Sequence, residues 1–178
     1  MPTRIALLRA INVGGVSVAM ADLRAFFEKL GFESVRTLLQ TGNVVFESSR
    51  KGDLEKLLEA EAVKRMKLAT DFLVRDAREW QAILDGNPFP KMAETDPGHL
   101  IVMPLKDPPT AAGVAALRSA IPGREKVEPG SRHLYLTYPD GIGTSRLTIR
   151  VIESKLGTRG SARNWNTARK IAAAALSK

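Results

Sequence analysis

The apolar positions of this chain change period several times, and each change marks an element. The run over residues 3–9 is apolar enough for a buried strand, which Asn12-Val13-Gly14-Gly15 ends. Met20, Leu23, Phe26, Phe27 and Leu30 then recur at helical spacing up to Gly31, a C-terminal stop. Residues 35–39 and 44–47 predict two strands, with Thr41-Gly42-Asn43 as the hairpin turn between them. Asp53 is placed to cap a helix whose stripe is Leu54, Leu57, Leu58 and Ala62. On its wet side Glu61 and Arg65 form an i,i+4 pair, and Glu55 and Glu59 are expected to be solvated. A strand over 72–75 completes the order βαββαβ, the ferredoxin-like arrangement.

The second half repeats much of this pattern. Asp76 and Glu79 make a capping box ahead of Trp80, Ile83 and Leu84, and Gly86-Asn87-Pro88-Phe89-Pro90 closes that helix. Polar, proline-bearing residues 91–98 are expected to be a linker or loop. A strand over 99–105 follows, then a helix opened by Pro108-Pro109-Thr110, carrying Val114, Leu117 and Ile121, and ended by Pro122-Gly123. Strands are predicted near Lys126 and over 133–138. Leu147, Val151, Ile152 and Leu156 mark a helix stopped by Gly157, and Trp165, Ala168, Ile171, Ala172, Ala175 and Leu176 mark a last one. The expectation is an α+β chain: a ferredoxin-like βαββαβ half over 1–90, then a smaller α+β half over 91–178 with C-terminal helices. The halves form either two subdomains or one continuous sheet, and the echo between them is compatible with duplication.

Composition narrows the chemistry. The 178 residues include no cysteine, which excludes disulfides, thiolate catalysis, thiolate zinc sites and iron–sulfur clusters. Two histidines, His99 and His133, have no partner at metal-ligand spacing, so no metal and no cofactor is expected. No stretch approaches the roughly 20 apolar residues of a membrane span or the core of a signal peptide, and the expected location is the cytoplasm with no membrane partner. The net charge of +8 is uneven along the chain. Residues 1–100 hold 14 basic and 14 acidic side chains, and residues 101–178 hold 13 and 5. Over 141–178 eight basic residues face Glu153 alone. Such a segment attracts polyanions or simply keeps the surface solvated.

Three segments are more polar and glycine-rich than their positions require: 7–15 (LLRAINVGG), 39–46 (LQTGNVVF) and 161–167 (SARNWNT). Together with Tyr138-Pro139-Asp140-Gly141-Ile142-Gly143 they resemble, in order, the motifs of the domain of unknown function 1697 family, from about Ile5 to Leu176. The chain departs from the family pattern where Ala10 replaces a glycine and Ser161 a threonine. The resemblance implies an α+β fold with a ferredoxin-like part, and no activity.

Read physically, Ser161 or Asn164 can cap the final helix. Arg163 would then lie beside a helix N-terminus, where a cation is favoured if an anion is shared with the free amides. Its rival role is an ion pair. Arg159 adds a second donor, Trp165 offers a face for a base or a core side chain, and Asn166 is a polar wall or a loop residue. Asn12, Gly14 and Gly15 follow a strand, as a phosphate-cradling loop would, but the nucleotide fingerprints G-x-G-x-x-G and G-K-S/T are absent. Arg9, Gln40 and Asn43 complete the candidate ligand-binding set. No catalytic constellation is present. The leading expectation is a binding module for a phosphate-bearing ligand, nucleic acid or nucleotide. The alternatives are an enzyme acting on a small anionic metabolite in a cleft between the two halves, and a protein-interaction domain. The oligomeric state is left open.

Overall fold

Strand pairing supplies the frame of the first half. β1 (Thr3–Leu8) lies between β3 (Asn43–Glu47) and β4 (Phe72–Asp76), and β2 (Glu33–Leu38) pairs with the outer side of β3, all antiparallel. Helices α1 (Met20–Lys29) and α2 (Leu54–Met66) occupy the two crossovers, so the order is ferredoxin-like. Ala6, Leu8, Val44, Phe46 and Val74 alternate onto the helix-covered face, where they meet Leu23, Phe27 and Leu58. Phe27 and Phe32 stand 5.0 and 4.8 Å from the Phe46 ring. These are facts of the computed structural model, which describes residues 1–11 and 17–177.

The second sheet has the same order. β5 (Leu100–Pro104) lies between β7 (His133–Thr137) and β8 (Arg163–Asn164), with β6 (Lys126–Pro129) outside β7. Its crossovers are α5 (Ala111–Ser119) and α6 (Ile149–Leu156), which cover Ile101, Met103, Leu134, Leu136 and Val127. In each half a helix follows the last strand: α3 (Ala77–Asp85) after β4, and α7 (Trp165–Leu176) after β8. The chain divides into two units, Met1–Ala82 with Lys170–Lys178, and Ile83–Arg169. The α+β class and the ferredoxin-like first half are as expected.

Several local expectations are revised. The second half is a full βαββαβ rather than βαββα plus a helix, because β8 is only two residues long and leaves no alternating pattern to detect. Residues 90–95 form α4 (Pro90–Thr95), where a loop was expected: Pro90 sits in the first turn, where its missing N–H costs nothing. A 3₁₀ turn over Pro97–His99 follows. β2 stops at Leu38, because Leu39 takes φ +59 and starts the turn.

Glu55 and Glu59 are half-buried rather than solvated. Their carboxylates accept from the backbone N–H groups of Val74 (2.8 Å) and Phe72 (3.2 Å) on edge strand β4, and Arg75 lies 3.3 Å from Glu55. In the second unit Glu153 of α6 likewise accepts from Gly160 N–H (3.0 Å), just ahead of edge strand β8. A crossover glutamate thus satisfies backbone donors on β4 and just ahead of β8, one edge strand of each sheet.

Candidate functional site

The residues singled out in the sequence are distributed over both units. Asn12, Gly14 and Gly15 lie outside the described residues. In the first unit, Asn43 is buried, and its amide donates to the Leu38 carbonyl (2.8 Å) and Thr41 Oγ1 (2.9 Å), which ties the hairpin together. Gln40 is exposed beside it. The main chain of half-buried Arg9 donates to the Asp71 carbonyl and accepts from Thr70 Oγ1.

In the second unit, Arg163 points inward. It is 7% exposed and donates to Ser161 Oγ (2.6 Å) and the Ala162 carbonyl (2.9 Å). Burial lowers its pKa to about 10, which leaves it cationic at neutral pH. Asn164 caps α7 by accepting from Thr167 N–H (2.9 Å). Trp165 is buried and Asn166 exposed. Gly160 packs so closely that a Cβ there would stand 2.4 Å from the Pro104 carbonyl oxygen. Arg159 is exposed on a recess of about 280 Å³ that also holds Lys106, Asp107 and Glu153. The second-unit candidates therefore cluster around the β8–α7 junction, where Arg163 and Asn164 each hold a backbone group.

The basic C-terminal segment is also divided. Lys170 and Lys178 belong to the first unit, which holds 15 Lys+Arg and 11 Asp+Glu, and the second holds 12 and 8. Each unit thus carries +4.

A larger recess, of about 860 Å³, opens in the second unit. One wall is the start of α4, where Asn87 Oδ1 accepts from Phe89 N–H (2.9 Å) and shapes the Asn87-Pro88-Phe89-Pro90 turn. Phe89 and Met92 give that wall its apolar surface. The facing wall is Gly123-Arg124-Glu125-Lys126, which leads from α5 into β6, with Thr137 and Pro139 from β7 and its exit. Lys126 and Thr137 are paired in register, and Thr137 Oγ1 accepts from Lys126 N–H (3.2 Å). Lys91, Arg124 and Lys126 are exposed cations on this recess. Arg124 is engaged by both carboxylate oxygens of Asp140, with Nε 3.0 Å from Oδ2. That contact holds the Asp140 carboxyl below its ordinary range and raises Arg124. Among the described residues, neither Lys91 nor Lys126 makes an ion pair.

Glu125 stands between this recess and a smaller one of about 270 Å³, lined by Asp140, Gly141, Ser145 and Arg146. The Tyr138-Pro139-Asp140-Gly141 turn, closed by Gly141 N–H on the Tyr138 carbonyl (3.0 Å), brings the third family-like segment to this place. Glu125 Oε1 accepts from Ser145 Oγ (2.6 Å). Burial, with Glu125 adding to it, raises Tyr138 to about 12, and its hydroxyl donates to the Leu147 carbonyl (2.8 Å). The polar motifs of the sequence do not include Phe89, Lys91, Met92, Arg124, Glu125 or Lys126, which line this recess. The available signals were an aromatic framed by two prolines and a charged triplet opening a strand.

Among the described residues no group of three or more His, Cys, Asp or Glu is placed to hold a metal ion, and no helix is long and apolar enough to cross a membrane. His99 pairs with Asp96 (2.8 Å), and buried His133 stacks edge-on against Tyr135.

No curated protein matches the chain. A solved structure, that of conserved bacterial protein SP0830 from Streptococcus pneumoniae, is similar over 98% of each chain, with a TM-score of 0.78 and 21% identity, a likeness of fold. The family described as "Protein of unknown function (DUF1697)" matches residues 1–135, so the chain belongs to that family.

Proposed function

We propose that this protein binds a small phosphate-bearing ligand of the nucleotide class in the large recess of its second unit. The observation that carries this reading is the pairing of an apolar wall, Phe89 and Met92, with Lys91 and Lys126, cations that have no acidic partner among the described residues. A volume of about 860 Å³ suits a mononucleotide. An aromatic face suits a base, and lysine ammonium groups suit a phosphate. The equal division of charge between the units favours a small anion over a polymer laid along one basic face.

Thermal unfolding at low salt, with nucleotides, pyrophosphate, sulfate and short oligonucleotides, tests it. A mononucleotide at about 100 times its Kd should stabilise the chain by about 2.7 kcal/mol, and Lys91→Ala with Lys126→Ala should remove most of that shift. Stabilisation by oligonucleotides alone, steeply salt-dependent, would turn the reading to nucleic acid. A shift that the double variant leaves intact would move the site elsewhere.

A further inference from the structure

We infer that Glu125 selects the ligand of this recess by accepting a hydrogen bond from a hydroxyl or amino group that the ligand carries beside its phosphate. The inference rests on the reading of the recess as a phosphate-ligand site, and deepens it.

Glu125 is the acidic residue on the wall of the large recess, and it is shared with the small one. Its two oxygens are treated differently. Oε1 is held by Ser145 Oγ at 2.6 Å, and that same hydroxyl oxygen accepts from Leu147 N–H (3.1 Å), which fixes the loop carrying it. Oε2 is buried and receives no donor among the described residues. It is folded over Gly123, where a Cβ would stand 2.6 Å away, so the absence of a side chain at 123 permits this placement. The neighbouring cations do not relieve it: Arg124 is committed to Asp140, and Lys126 makes no ion pair among the described residues.

A carboxylate offers about four acceptor sites, and leaving one oxygen of a buried carboxylate without a donor is unfavourable. The free protein therefore holds an acceptor that a donor of suitable geometry would stabilise. Oε2 lies over Gly123, itself on the wall of the recess, so a donor reaches it by drawing the carboxylate off Gly123. The same charge repels phosphate, so the ligand's anionic end belongs with Lys91 and Lys126, and its neutral or cationic donor end with Glu125. That polarity fits a hydroxyl- or amine-bearing organic phosphate rather than inorganic phosphate or pyrophosphate.

Titration calorimetry on the full chain decides this, with pyrophosphate, AMP, 2′,3′-dideoxy-AMP and purine ribonucleoside monophosphate, which lacks the exocyclic amine. The wild type should bind AMP about tenfold or more tightly than the analogue missing the relevant donor, hydroxyl or amine. Glu125→Gln should abolish that preference, bind pyrophosphate more tightly than the wild type because the repelling charge is gone, and melt no lower than the wild type. Gly123→Ala, which displaces Oε2 by contact, should weaken the preference in the same direction and serves if Glu125→Gln folds poorly. If both variants keep the wild-type preference while Lys91→Ala with Lys126→Ala loses affinity, the inference falls and the reading of the recess stands. If the wild type binds none of these probes, both fall.

Discussion

Ala10 holds φ at +52, a left-handed conformation that costs an L-residue about 1–2 kcal/mol and glycine nothing in strain. It is also the position where the family pattern carries a glycine, so the departure noticed in the sequence coincides with a site of backbone strain. Glycine would relieve the strain but adds freedom to the unfolded chain, about 0.5–1 kcal/mol. Ala10→Gly should therefore stabilise the chain by about 0.5–1 kcal/mol, seen as a higher urea midpoint at unchanged slope. A lower midpoint would mean that Ala10 packing outweighs the dihedral. Strain of this kind was legible in part: a motif glycine flags the position, but Leu39, at φ +59, stands in no such frame and read as the end of a strand.

At the scale of elements, the two units solve one problem twice. In the first sheet a row of residues runs Arg36, Val45, Ile5, Arg75, and in the second the row is Glu128, Tyr135, Val102, Arg163. Each row ends in a buried arginine on the edge strand, followed at once by the residue that caps the next helix. Asp76 accepts from Glu79 N–H (2.8 Å) as Asn164 accepts from Thr167 N–H (2.9 Å). The equivalence supports a duplicated origin. Both caps were readable, because acceptor side chains ahead of a helical stripe carry a local signal. β8 was not, because its placement depends on pairing with β5, some sixty residues earlier. The glutamates that serve the edge strands were misread for the same reason: helical spacing locates Glu55 and Glu59 on α2 but does not reveal β4 beside them. Asn164→Ala should cost about 1 kcal/mol in denaturant melts, and Asn164→Asp, which keeps the acceptor and suits the helix dipole, should restore stability. An aspartate as damaging as alanine would show that the amide, not the cap, is what the junction needs.

For the whole molecule, the aromatic residues separate the units spectroscopically. Five of six phenylalanines lie within Met1–Ala82, and both tyrosines, Tyr135 and Tyr138, lie in the second unit. Each phenol is buried and donates to a carbonyl, Tyr135 to Ile83 (2.5 Å) and Tyr138 to Leu147 (2.8 Å). Burial raises both to about 12, against an ordinary value near 10. The unfolded chain ionises its tyrosines first, so their contribution is intact below pH about 10 and is lost as the pH rises toward 12, about 2–3 kcal/mol for each. Arg163, lowered by burial to about 10, works in the opposite direction over part of that window, since the folded state would release its proton before the unfolded one. Stability alone therefore mixes the two effects, whereas tyrosinate absorbance does not. In the native protein that absorbance should stay flat to pH about 11, while in urea it should rise around pH 10. Tyr135→Phe should halve the signal without changing where the remaining tyrosine titrates. Native titration near pH 10 would place the phenols in solvent. That would undo both the packing of β7 and the anchoring of its exit, where the Tyr138 hydroxyl holds the Leu147 carbonyl next to the candidate site.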